Sequence, residues 1–220
     1  GRSMITEATP RRAGRPKNPL SRADILQVAR AAFSEAGYAG ASMSDIARRA
    51  GIRKASLFHH FRGKEALYVD MMSDIAGELA VLVAGAGLGE GRFLERLDKL
   101  GILVIRYLGA HPNVARLAVR ELIGSGPFYS GPGRERVDLS LRAVASFLES
   151  GMQEGVIPRS DSQQLAISIV GLHLMHFAAS GATSSFVAQD VFSPAAVADR
   201  THAVLQQVRR LCGAPVAPAP

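Results

Sequence analysis

Apolar side chains recur every third or fourth residue through most of the chain, and clusters of Gly, Pro and Ser separate the runs, a pattern that predicts helices. Ser21-Arg22-Ala23-Asp24 has the shape of a capping box, and Ile25, Val28, Ala29, Ala32 and Phe33 follow at helical spacing until Gly37 closes the helix. Ser42, with Asp45 three residues on, opens a second helix that turns Met43, Ile46, Ala47 and Ala50 inward. Gly51 permits a tight turn, and Ile52 leads into a third short helix carrying Leu57 and Phe61. A longer helix is expected from Lys64 to about Val83, broken by the glycine-rich stretch Gly85 to Gly91. Further helices are expected near 92–109, 113–123, 134–154, 162–180 and 194–212, divided by His111-Pro112, Gly124 to Gly133, Gly155 to Ser160 and Ser193-Pro194. No segment shows β-branched alternation, so the expected class is all-α, with about nine helices and no strands. The chain then divides into a flexible basic arm (1–20), a three-helix head (21–68), a helical body (69–212) and a disordered Pro/Ala tail (213–220).

Composition narrows this picture. Hydrophobic residues make up 47% and charged residues 20%, with a mean hydropathy of +0.11, which suits a packed core and argues against disorder. A lone cysteine, Cys212, excludes an internal disulfide and fits a reducing cytoplasm. Ser162 to Gln189 carries no Lys, Arg, Asp or Glu, and at about 1.5 Å per residue its apolar part, Leu165 to Ala182, could span a thin bilayer. It also holds His173, His176 and several Ser and Thr without aromatic flanks, so the expectation is a helix buried by protein, with no membrane. The N-terminal residues are polar and basic, with no apolar stretch of the kind a secretory signal needs.

Charge is unevenly placed. Residues 1–65 hold 13 Lys and Arg against 5 Asp and Glu, whereas residues 66–220 hold 13 against 14. A basic head on a neutral body points to a polyanion. No phosphate-cradling glycine loop, nucleophile elbow, zinc-ligand set or paired carboxylates appear, so neither catalysis nor a cofactor is expected. His173 and His176 lie three apart, a weak metal signal, and a pocket or interface lining is the preferred reading.

Reading duplex DNA needs a short helix that fits the major groove and a second that braces it. Ser42 to Phe61 supplies both: packing of the apolar set leaves Arg53, Lys54, Ser56, His59 and His60 facing outward, suited to phosphates and purine edges. Arg15 and Lys17 of the arm would add phosphate or minor-groove contacts.

The run from Gly37 to Glu65 resembles the reading head of the TetR (tetracycline-repressor-like) family. The Gly37-Tyr38, Ile46-Ala47, Ala50-Gly51, His60-Phe61 and Lys64-Glu65 pairs carry the likeness at fixed spacing, over roughly residues 21–68. It implies a homodimer on a near-palindromic operator, released when a small molecule fills the body; an activator, or a regulator without a ligand, is the alternative. On this likeness Ser42 meets a phosphate as well as capping its helix, Ser44 reaches a base, and Lys54 and Ser56 face bases, with a phosphate the alternative for Lys54. His60 meets a phosphate, Lys64 grips the backbone, and His59 is read first as a partly exposed packing residue, with a DNA contact the alternative. Two departures stand out. Arg53 replaces a small hydroxyl and costs the third helix its cap, and Phe58 replaces a Tyr, which removes one phosphate contact.

The same likeness implies that the last two helices pair across the dimer through Ala166, Ile169, Val170, Gly171, Val197, Val204, Leu205 and Val208. It also implies an apolar pocket lined from Arg106, Tyr107, Arg120, Glu121, Phe128, Tyr129, Phe147, Met152, His173, Met175, His176 and Phe177. Arg120 and Glu121 have a second reading, as a structural pair.

Overall fold

The computed structural model describes residues 20–87, 89–124 and 126–215, with nothing stated of the side chains of 86, 87 and 124. Arg15 and Lys17 lie outside these residues. The described residues form ten helices and no strand: α1 (Arg22–Gly40), α2 (Met43–Arg49), α3 (Lys54–His60), α4 (Lys64–Gly87), α5 (Phe93–Ala110), α6 (Pro112–Gly124), α7 (Gly133–Gln153), α8 (Ser162–Ala178), α9 (Ser180–Val187) and α10 (Pro194–Leu211).

The head is built as its pattern predicts. Ser21 and Asp24 form the reciprocal capping box of α1. Gly37 takes φ +71°, a region open to glycine at little cost, and interrupts the helix there. Ser42 caps α2 by accepting from the Asp45 N–H. Ile25, Phe33, Ile46 and Leu57 are fully buried and join the three helices around one core.

In the body, α8 packs against both α6 and α7, and α10 lies along α5. α4 leaves the head and runs along α5 and α7, so one continuous helix joins the two parts. The tenth helix arises where α8 stops at Ala178: the chain bends by 76° into α9, within a Ser180-Gly181-Ala182-Thr183 run of mostly weak helix formers. Among the described residues no single helix is long and apolar enough to cross a membrane, although the bent α8–α9 pair reaches that length together. Two boundaries also move. α4 continues through Gly85 to Gly87, and the start of the expected tail is packed, with Ala214 buried and the Pro215 carbonyl accepting from Arg209 at 3.0 Å.

The expected dimer face requires a correction. Ala166, Ile169, Val204 and Val208 are buried inside the protomer, Val170 lines a cavity of the body, and Val197 and Leu205 pack on α5 at Gly109 and Gly101. An uncharged helix such as α8 gives periodicity no polar face by which to orient it. The exposed stripe of α8 is instead Ile167 and Met175, with Gly171 between them opening onto free space.

Close packing of α7 on α5 depends on Gly151, where an added methyl would lie 2.4 Å from the Phe93 ring, itself stacked on Phe147. Gly151→Ala should therefore cost about 1–3 kcal/mol. Urea unfolding should show a lower midpoint at an unchanged slope, and an unaltered midpoint would contradict this packing.

Candidate nucleic-acid interface and effector cavity

α3 projects from the head on very little. Within Lys54–His60 only Leu57 is buried, while Lys54, Ser56, Phe58, His59 and His60 are exposed. Arg53 makes no side-chain cap bond, so the first amides of α3 stay open beside two cations. Ser42 and Ser44 are exposed on the start of α2. Lys54 Nζ lies 5.9 Å from the Phe58 ring centre, which places Phe58 on the surface beside the lysine. Arg53, Lys54, Ser56, His59 and His60 thus share one exposed segment with Ser42 and Ser44 nearby, an arrangement fit to meet anionic oxygens and base edges together.

Lys64 is placed otherwise than expected. Its ammonium donates to the carbonyls of Tyr38 at 2.8 Å, Ala41 at 3.2 Å and Ala39 at 3.4 Å, and sits 4.6 Å from the Tyr38 ring centre. The carbonyls left open where α1 ends attract the cation, so it ties α4 to the head. Arg22, not singled out in the sequence, stacks on Phe61, donates to the His60 carbonyl at 3.3 Å and pairs with Asp70, bracing the end of α3.

Two polar joints connect head and body. Arg30 is 2% exposed and bonds Asp74 and Glu78 of α4; Glu78 also accepts from Tyr107 of α5. Tyr107 thus belongs to a structural network rather than to a pocket. At the second joint, Arg120 of α6 donates to the Ser34 carbonyl at 2.8 Å, and its neighbour Glu121, 3% exposed, accepts from Tyr68 of α4 at 2.6 Å and from the Tyr129 N–H. Tyr68 packs edge-on against Phe33 and Tyr38 of the head. Burial and the Glu121 carboxylate together raise the Tyr68 phenol well above its usual range, so it stays a donor. Arg120 and Glu121 do not pair with each other.

Behind Glu121 lies a cavity of about 220 Å³ among α4, α5, α6, α7 and α8. Met72, Leu79, Val104, Phe128, Val144 and Leu174 are typical of its wall, in which Glu121, His173 and Ser140 are the polar side chains.

Comparisons with known proteins agree with this architecture. Residues 25–71 match the profile of the bacterial regulatory proteins, tetR family, and residues 94–208 match that of the tetracyclin repressor-like C-terminal domain. The chain belongs to the TetR family. The HTH-type transcriptional repressor AcnR of Corynebacterium efficiens is 30% identical over 156 residues, 63% of this chain and 81% of that protein. The AcnR of Corynebacterium diphtheriae is 30% identical over 115 residues, where this chain spans 54% of its relative's length. The regulator FadR of Bacillus subtilis, solved with stearoyl-CoA, superposes with a TM-score of 0.67 at 20% identity, over 86% of this chain and 97% of that one.

Within this TetR-family body, Glu121, Phe128 and His173 of the expected pocket residues reach the cavity. Arg106 and Met175 are exposed, and Phe177 is fully buried against Phe192. Phe147 stacks on Phe93, Met152 packs on the core without reaching the cavity, and Tyr129 meets Glu121 through its backbone. His176 lies outside the wall, edge-on to Phe177. Ile169 and Val170, expected between subunits, line the cavity instead. Spacing alone does not distinguish the inner from the outer side of a helix that is apolar all round.

Burial pushes the His173 imidazole below its ordinary value, partly offset by its bond to the Ile169 carbonyl and reinforced by Arg200 nearby; His176 shifts the same way through burial and Arg200. The folded protein therefore favours the neutral rings, and protons bind the unfolded chain first. Stability should decline as pH falls below about 6.5, and His173→Leu should flatten that slope between roughly pH 6.5 and 5. Thermal unfolding across this window tests it; an equal slope in the variant would refute the assignment.

Proposed function

We propose that the chain is a homodimeric transcriptional repressor of the cytoplasm, holding a near-palindromic operator through α3 and releasing it when an apolar effector enters the body cavity. The observation that carries this reading is the pairing of a projecting cationic α3 with an apolar cavity whose wall includes Glu121, the residue bonded to Tyr68 beneath the head. Ser42, Ser44, Arg53, Lys54, Ser56, His59 and His60 form the DNA-facing set, with Lys54 directed at a guanine edge and Ser42 and His60 at phosphates. Arg15 and Lys17 add contacts from the arm. Subunits pair through the exposed α8 stripe of Ile167, Gly171 and Met175 together with the outer face of α10, a two-fold arrangement that presents two copies of α3 to the duplex. An effector that widens the cavity shifts α6 and so draws on both Arg120, which holds the end of α1, and Glu121, which holds α4. Release follows only if the effector binds the DNA-incompetent geometry more tightly.

Two experiments test this. On an operator selected from random duplexes, Lys54→Ala should cost about 1–3 kcal/mol and relax discrimination at one base position per half-site. Fluorescence anisotropy against single-base variants reads both effects, and equal binding of operator and scrambled duplex by the native protein would end the DNA-reading assignment. For the cavity, a panel of medium-chain alcohols, fatty acids and acyl-coenzyme A thioesters is screened for operator release. Ala118→Phe, which fills the cavity from α6, should abolish that release while leaving operator binding intact. Release that persists undiminished in the variant would place the effector elsewhere.

A further inference from the structure

The accessible wall of the body cavity is almost wholly hydrocarbon, and among the described residues no Lys or Arg lines it. Glu121, Ser140 and His173 stand in that wall, yet each directs its polar atoms elsewhere. Glu121 is 3% exposed: its carboxylate accepts from the Tyr68 hydroxyl at 2.6 Å and from the Tyr129 N–H. The turn at Gly126 packs on it so closely that an added methyl there would overlap the carboxylate. The Ser140 hydroxyl folds back on its own helix and donates to the Arg136 carbonyl at 2.9 Å. The His173 ring bonds the Ile169 carbonyl through Nδ1 at 2.7 Å, and its Nε2, buried, lies towards Gly101, where Leu205 of α10 packs on α5.

The cavity is half open to solvent. α6 and α7 both pack on α8 but barely touch each other, and Leu122 at the edge of α6 lines the wall while 43% exposed. Carbon and polar atoms fare oppositely in such a space. Each methylene moved from water onto the wall strengthens binding about fourfold. A hydroxyl, carbonyl or charge carried in with it sheds its water and meets no partner, a loss that outweighs the gain from about two methylenes. One place remains for a polar group: the opening, where water still reaches it.

We propose that the effector is an amphiphile polar at one end only, whose uninterrupted hydrocarbon body fills the cavity while its head, whatever the charge, stays in water at the opening beside Leu122. This rests on the reading of the cavity as the effector site and states what that site selects. Hydrocarbon length and continuity set affinity, and head chemistry contributes little.

The test is calorimetric titration of the purified protein, below micelle-forming concentrations, with three series of probes. Hexanol, heptanol and octanol should bind roughly fourfold more tightly for each added methylene. Octanol, octyl sulfate and octyltrimethylammonium, which differ only in the head, should bind within about tenfold of one another at roughly physiological salt. An octyl diol whose second hydroxyl stands in mid-chain should bind at least about tenfold more weakly than octanol. Ala118→Phe should abolish binding of every probe, and its retained operator binding shows that it is folded. If that variant does not fold, the three series on the native protein decide alone. A wider spread among the heads, a diol that binds as well as octanol, or affinity that ignores tail length overturns the proposal while leaving the cavity as the effector site. Binding of no probe, or binding that survives Ala118→Phe, also overturns it. The cavity reading itself falls only if Ala118→Phe leaves operator release untouched.

Discussion

Glu121 is a carboxylate held out of water where α6, α4 and the turn before α7 meet. A buried acid is tolerated only where donors satisfy it, and here the Tyr68 hydroxyl and the Tyr129 amide do so. That requirement fixes α4 against α6 and draws the Gly/Pro-rich turn before α7 down over the cavity. Because Tyr68 also packs on Phe33 and Tyr38, the same carboxylate sets where the head rests on the body. Arg120, one residue away, anchors the carbonyl end of α1. α6 is therefore tied to the head by two routes, one through α1 and one through α4.

The head was largely legible in the sequence because its signals are local. A capping box, an N-cap serine, a glycine with positive φ and an apolar set spaced for three short helices all act within a few residues, and the structure shows Ser21, Ser42, Gly37 and Leu57 in those parts. Lys64 was not legible. Its ammonium is claimed by carbonyls more than twenty residues away, and only the folded end of α1 presents them. Arg30 was missed for a similar reason: nothing in its neighbourhood reveals that Asp74 and Glu78 meet it across α4.

The body yielded its helices but not their orientation. α8 lacks charge on every side, so the sequence could not say that Ile169 and Val170 face a cavity while Ile167 and Met175 face outward. Tyr107 and Arg120 carry polar tips that suggested a ligand, yet both tips are spent on intramolecular contacts that only three-dimensional proximity creates. Glu121 and His173 do stand in the cavity wall, on helix faces that only the folded body defines.

Anchorage of α3 through Leu57 has an evolutionary corollary. Its other six side chains add almost nothing to the core, so they are free to be exchanged with little penalty in stability. A different outer face can thus be acquired by altering a few surface positions while the scaffold and its two polar joints are inherited unchanged.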